Sequence, residues 1–287
     1  MKKYQNVSII KSAGDVVPFY ADKLKRSLLK SGASNEQAEN IIAQIQNNLY
    51  HGISTKKIYQ QAYQLLRGSS RPLAARYKLK RAIMELGPTG FPFEKYIAAI
   101  FHQQGYATQT GVTVDGHCVK HEIDIHAKQN EKHLMIECKF HHREGIACDV
   151  KIPLYIHSRF NDVKEGLDKL SGYNNIKHEA WVVTNTRFTS DAVQYGVCVG
   201  LNLLGWDYPA NNSLNKQIDR SGLYPVTCLT SLNKNEKQVL LNNQVVLCKE
   251  IFSGENILQR ANINADRMNS IMDEVKQLCG QQHQQLH

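Results

Sequence analysis

Across 287 residues no apolar run approaches the length needed to cross a bilayer, so no membrane partner is expected. The opening Met1-Lys2-Lys3-Tyr4-Gln5-Asn6 is basic but leads into no apolar stretch, which argues against a secretory leader. A Gly-x-x-x-x-Gly-Lys-[Ser/Thr] segment is missing too, which argues against ATP hydrolysis on a P-loop. The seven cysteines, an odd number scattered through apolar stretches, fit reduced thiols in a cytoplasmic protein rather than a disulfide framework.

What is present is a 42% hydrophobic chain long enough for two or three domains with cores of their own. Its net charge of +9 is unevenly placed. Residues 1–88 carry 15 lysines and arginines against 5 acidic residues, whereas residues 89–210 carry 12 against 14. The basic excess of the N-terminal unit suits an anionic partner, a nucleotide or nucleic acid, with plain solubilising charge as the alternative.

In that unit Ser8-Ile9-Ile10-Lys11 and Val16-Val17-Pro18-Phe19 read as short strands around an Ala13-Gly14-Asp15 turn. A helix from Ala21 to Lys30 follows, then one to about Leu49 opened by a Ser34/Gln37 capping box. Ser54 caps a third from Thr55 to Arg67, and past the breaker at Gly68 to Pro72 a last basic helix runs to Leu86. This order resembles the ATP-cone, the nucleotide-sensing domain attached to ribonucleotide reductases and a bacterial transcriptional repressor. The resemblance covers roughly residues 5–87. Its matching pieces are Ile9-Ile10-Lys11, Gly14, Val17-Pro18-Phe19 with Asp22-Lys23-Leu24, Gly52-Ile53-Ser54-Thr55 and Ala74-Ala75-Arg76-Tyr77. It implies ATP or dATP as an effector, with Lys11 and Lys23 approaching the triphosphate and Thr55 and Tyr59 lining the pocket. Ser12 stands where that family usually has an arginine.

The stretch His121 to His142 reads as two alternating strands joined at Lys128 to Glu131. In the second, Leu134, Ile136, Cys138 and Phe140 point one way and Met135, Glu137 and Lys139 the other. In the first, Glu122, Asp124 and His126 oppose Ile123 and Ile125. If the polar faces coincide, Asp124, Glu137 and Lys139 meet. Two carboxylates supply hard oxygen ligands for Mg²⁺ or Mn²⁺, and an amine beside them can orient or deprotonate a water and offset charge on a phosphate. The alternative is a solvated hairpin face with an incidental ion pair.

Upstream, Phe93, Tyr96, Ile97, Ile100 and Phe101 form a helical stripe after a stiff hinge at Pro88 to Pro92. Downstream come a helix from Pro153 to Leu170 broken or kinked near Ser158 to Asn161, a buried strand at Ala180 to Asn185, a helix at Ser190 to Val199 and a strand at Leu201 to Trp206. The last strands imply a parallel crossover. Asp124, the short hairpin and Glu137-Cys138-Lys139 resemble the PD-(D/E)xK nuclease motif. Residues 91–209, in the order αβββαβ, resemble the restriction-endonuclease-like core of its Mrr-like branch. That resemblance implies a metal at Asp124 and Glu137, catalysis with Lys139, and assistance from Glu94 on the first helix. Glu94 is equally readable as a glutamate favoured by the helix dipole. A zinc site from Cys138, His141, His142 and Cys148 is a weaker alternative, because Cys138 and Lys139 face opposite ways.

From about residue 220 to 280 short helices alternate with turns: Leu229 to Leu241, then Gln244-Val245-Val246-Leu247, then two more ending near Cys279. They loosely resemble helix-hairpin-helix DNA-binding modules, which grip phosphates through backbone amides, although Asn242-Asn243 and Gly254 replace the usual Gly-x-Gly. A helical packing or dimerisation domain is the alternative. Gln281 to Gln285 reads as a polar, disordered tail.

The expected fold is therefore an α/β multi-domain chain: residues 1–88 ATP-cone, 89–210 restriction-endonuclease-like, 220–280 helical. The expected function is a Mg²⁺-dependent DNA endonuclease answering to ATP or dATP, with RNA as an alternative substrate and a homo-oligomer compatible with the pattern. A non-catalytic, nucleotide-dependent DNA-binding regulator is the runner-up.

Overall fold

The computed structural model describes residues 7–11, 14–143, 145–169, 176–253 and 256–280; Met1 to Asn6, Ser12 and the Gln281 to Gln285 tail lie outside them. The N-terminal hairpin forms from β1 (Ser8–Ile10) and β2 (Val16–Pro18), with Ile9 opposite Val17. Helices α1 (Ala21–Lys30) and α2 (Asn35–Asn47) follow, and the Ser34/Gln37 capping box is present in both directions. A two-residue strand the sequence does not signal, β3 (Ile53–Ser54), pairs parallel with β1. Ser54 then caps α3 (Thr55–Ser69), accepting the Lys57 amide.

The basic helix expected to run unbroken to Leu86 is instead two, α4 (Arg71–Tyr77) and α5 (Leu79–Met84), parted at Lys78. The break lets one segment serve two cores. Leu73 and Ala74 pack with Leu28, Ile45, Ile53 and Leu66 in the N-terminal core, while Ala75, Leu79, Ala82 and Ile83 join the core of the rest of the chain.

The central region runs α6 (Phe91–Gln103), β4 (Ala107–Asp115), β5 (Lys120–Gln129), β6 (Lys132–Lys139), β7 (Ala147–Cys148), α7 (Lys151–Asp168), β8 (Lys177–Thr184), β9 (Arg187–Phe188), α8 (Ser190–Cys198) and β10 (Asn202–Leu204). Its main sheet has the order β10-β8-β6-β5-β4. The β6–β8–β10 half is parallel and the β4–β5–β6 half antiparallel. Residues that alternate in a strand point to opposite faces, and each face is covered by a helix. On one, Phe93, Tyr96, Ile97 and Phe101 of α6 meet Ile125, Ala127, Leu134 and Ile136. On the other, Val163 and Leu167 of α7 meet Ile123 and Met135. Helix α7 is a single span of 18 residues, without the break expected near Ser158 to Asn161. The buried stripe of Ile156, Val163 and Leu167 seats both its halves on the sheet.

Beyond the sheet come α9 (Leu214–Ser221), unforeseen in the sequence, then α10 (Lys234–Asn242), α11 (Glu250–Ser253), α12 (Ile257–Arg260) and α13 (Ala265–Gly280). The helix expected from Leu229 starts only at Lys234, where Asn233 and Glu236 close a capping box; Leu229 and Leu232 turn inward to the core. Hydrogen bonds tie these helices to the earlier elements: the Tyr96 hydroxyl donates to the Leu223 carbonyl at 2.6 Å and Thr227 Oγ1 to the Ala82 carbonyl at 2.7 Å. The result is a mixed α/β architecture with a small N-terminal sheet under helices, a central mixed sheet between helices, and a helical C-terminus.

Candidate functional site

The β5–β6 ladder ends at Ile125 opposite Ile136. Beyond that pair β5 stays with β4, and β6 stays with β8 as far as Lys139 opposite Thr184. The two strands therefore part, and Asp124 and Glu137 stand one step into the fork. Asp124 marks a change of face as well. Ile125 belongs to the α6 side but Ile123 to the α7 side, so the strict alternation expected through Ile123 and Ile125 is broken there. The β4–β5 pairing skips the same residue, opposite Gly111 at φ +63°, and Asp124 Oδ2 accepts the Cys138 amide at 2.7 Å, a side chain doing what a neighbouring strand's carbonyl does elsewhere in the ladder.

Around the fork the structure gathers the residues singled out in the sequence. Lys139 Nζ donates to Glu137 Oε1 at 2.6 Å. Glu94, half-buried near the start of α6, lies close enough that burial first, then Asp124 and Glu137, push its carboxyl up to about 7. Burial and then the Glu137 charge push Asp124 up to about 6, against the Cys138 amide, Lys139 and Arg159, which pull it down. Carboxyl groups raised first by burial and then by one another's charge are stabilised as anions by a nearby cation.

One contributor was not legible in the sequence. Arg159, on α7, donates through Nη1 to Glu137 Oε2 at 2.8 Å and through Nη2 to the Glu122 carbonyl. Nothing in a helical stripe marks an arginine that turns toward a sheet 22 residues away. Among the described residues no group of three or more His, Cys, Asp and Glu forms a ready metal site. The donor set at the fork is of a different kind, two carboxylates, which suits Mg²⁺ because that ion keeps several waters and takes one or two carboxylates plus phosphate oxygens. The zinc alternative divides: Cys138 is in the α6-side core, while His141 Nε2 lies 3.3 Å from Cys148 Sγ on the way to β7.

Beside the fork, His121 Nε2 meets Asp162 Oδ2 at 2.6 Å, and Asp162 also accepts the Cys118 and Val119 amides. This cluster fastens the β4–β5 turn to α7.

In the N-terminal unit the parallel pairing of Ile10 with Ser54 brings the following residues, Lys11 and Thr55, to one end of the small sheet. Lys11 is exposed, with Asp15 3.9 Å away. Lys23 Nζ lies 5.0 Å from the Tyr20 ring centroid. Tyr59 is stacked on Tyr77 of α4 at 4.9 Å between centroids, and burial pushes its hydroxyl pKa well up. In the C-terminal helices, turn amides are taken internally: Glu250 Oε2 accepts those of Val246 and Leu247, each at 2.7 Å, and buried Glu274 those of Thr230 and Ser231 at 2.7 and 2.8 Å.

Over 185 residues the chain is 32% identical to an uncharacterized protein of Archaeoglobus fulgidus, spanning 64% of this chain and 100% of that one. The chain belongs to the AF1548-like family. Residues 224–279 match its C-terminal domain model, AF1548-like, C-terminal. The crystal structure of AF1548, a protein of unknown function, is similar with a TM-score of 0.54 and 30% identity, covering 67% of this chain and 99% of that chain. Residues 7–84 match the ATP cone domain, so this AF1548-like chain carries an ATP cone at its N-terminal end. No helix among the described residues is long and apolar enough to cross a membrane.

Proposed function

We propose that this protein is a metal-dependent DNA endonuclease of PD-(D/E)xK type whose activity answers to ATP or dATP bound in the cone. The observation that carries this reading is the fork, where Asp124 and Glu137 each stand one residue past the last β5–β6 pair, the Glu137 charge acts on Asp124, and Lys139 Nζ lies 2.6 Å from Glu137. Asp124 and Glu137 would hold Mg²⁺ or Mn²⁺, which when bound supplies Lewis-acid stabilisation of charge on the phosphate and lowers the pKa of water at the site. Lys139, as an ammonium, orients the attacking water and offsets charge growing on the phosphate, and Glu94, with a carboxyl pushed up to about 7, exchanges a proton at neutral pH. The cone shifts access or assembly through a difference in nucleotide affinity between two states, without consuming the nucleotide.

A second reading, a non-catalytic nucleotide-dependent DNA-binding regulator, is favoured by one observation: Lys139 and Arg159 already neutralise Glu137. Purified protein incubated with duplex DNA, single-stranded DNA and RNA, with Mg²⁺ or Mn²⁺ and with or without ATP and dATP, separates the two. Cleavage that disappears in Asp124→Asn and Lys139→Ala supports the nuclease. Bound but intact nucleic acid under every condition supports the regulator.

A further inference from the structure

Glu137 is the more deeply buried carboxylate of the fork, 9% exposed, and both of its oxygens are engaged. Lys139 holds Oε1 at 2.6 Å and Arg159 holds Oε2 at 2.8 Å. The other arm of the guanidinium donates to the Glu122 carbonyl on β5, so Arg159 braces both prongs of the fork from α7. One helical turn earlier, Tyr155 lies beneath it, 5.4 Å from ring centroid to guanidinium carbon. The lysine is part of the E-x-K triplet; the arginine is not, and it reaches the site from a different layer of the fold.

A divalent cation shared by Asp124 and Glu137 needs an oxygen of Glu137; each oxygen keeps a free lone pair for it, but two side-chain cations held at 2.6 and 2.8 Å repel an incoming dication, so its binding is favoured when one of them moves off. Arginine cannot leave by losing its proton, since it stays charged at any working pH. It can leave only by moving to another anion. Its planar fork of donors matches a phosphate as well as it matches a carboxylate, and the anion that arrives with a nucleic acid is a phosphodiester.

We propose that Arg159 competes with the divalent cation for Glu137 and, once displaced, binds the phosphate of the substrate. This rests on the reading of the fork as a cation site. In the cation-free protein the guanidinium keeps Glu137 in place at the cost of cation affinity. When cation and nucleic acid bind together, the guanidinium exchanges a carboxylate for a phosphate, so each ligand favours the other.

The test is Mn²⁺ binding to the full chain, read as free Mn²⁺ by electron paramagnetic resonance without nucleic acid, for wild type, Arg159→Ala, Arg159→Gln and Asp124→Asn. Arg159→Gln keeps a neutral donor for the Glu122 carbonyl, so a folded variant is at hand even where alanine destabilises α7. Removing the competitor should tighten Mn²⁺ binding about tenfold in both Arg159 variants, the factor that ~1.4 kcal/mol represents. At saturating Ca²⁺, duplex DNA binding should weaken about tenfold in the same variants. Unchanged Mn²⁺ affinity in both, with binding lost in Asp124→Asn, overturns the competition and leaves the fork reading standing. Unchanged DNA binding overturns the phosphate role. No Mn²⁺ binding by wild type or by either Arg159 variant removes the fork reading and this inference with it.

Discussion

The Asp124 carboxylate accepts the Cys138 main-chain amide at 2.7 Å, one residue past the last β5–β6 ladder pair. The same side chain thus closes the strand edge and lies within electrostatic reach of Glu137, and the two tasks are separable by chemistry. An asparagine oxygen accepts that amide equally well but offers no anionic ligand. Asp124→Asn should therefore fold and melt like wild type or better, while Mg²⁺-dependent cleavage falls by at least about 10²-fold, and Lys139→Ala should do the same. The checks are a thermal melt and a plasmid-nicking assay on the same preparations. Full cleavage by a folded Asp124→Asn would falsify the assignment.

The raised carboxyls also make a prediction about stability in EDTA. Asp124 and Glu94, pushed up to about 6 and about 7, bind more protons folded than unfolded from near pH 4 to 7. Their contribution is thus fully present in acid and lost as pH rises through those values. Asp124→Asn removes one such group. Its melting advantage over wild type should be greatest near pH 7.5, about 1–2 kcal/mol once solvent screening is discounted, and should shrink toward pH 5.

Three histidines on adjacent strands act in the opposite sense. His133 Nδ1 lies 2.7 Å from His178 Nδ1, and His126 packs edge-on against His133 at 4.1 Å. Burial holds His126 down at about 4 and His133 at about 3. Depressed histidines contribute stability above their unfolded pKa near 6.5 that is lost as pH falls toward 4 and below. His126→Gln should make the fall in melting temperature between pH 6.5 and 4.5 shallower by the equivalent of one proton. An unchanged slope would show that His126 titrates normally.

ATP or dATP should raise the melting temperature of the chain. A ligand that binds only the folded state adds about 2.7 kcal/mol at a hundred times its Kd. Lys11→Ala and Thr55→Ala should reduce the shift without lowering the melting point of the nucleotide-free protein, because Lys11 is exposed and Thr55 opens α3 behind its Ser54 cap.

Gly166 fixes how closely α7 approaches the sheet. A Cβ there would lie 2.8 Å from the Asp115 carbonyl oxygen and 2.8 Å from the Gly116 carbonyl carbon, both main chain. Alanine usually favours a helix interior, but here the clash is with backbone that cannot swing aside. Gly166→Ala should cost about 1–3 kcal/mol in denaturant titration and, by lifting α7, loosen the Arg159 contact with Glu137.

The sequence carried Glu137 and Lys139 because a strand's period of two is written locally; Leu134, Ile136 and Cys138 could hardly face the core without turning Glu137 and Lys139 the other way, whereas the alternation from which Asp124 was read breaks at that residue. It also carried both ends of α2, since the Ser34/Gln37 box is a contact across three residues. Arg159 escaped because its partners Glu137 and Glu122 lie 22 and 37 residues away. The split at Lys78 escaped because it depends on which of two cores each turn of helix meets. Strand β3 escaped because two residues carry no period.

The division of α4 and α5 between two cores bears on how the protein can be dissected. Ala82, Ile83 and Leu86 lie in one apolar cluster with Val226 and Cys228, and α5 packs against that same 226–228 turn. A fragment begun at Thr89 would bare greasy surface on its C-terminal helices and be prone to clump. Cutting away residues 1–88 would thus alter solubility on its own account, and the proposed nucleotide response is better abolished by a point change in the intact chain.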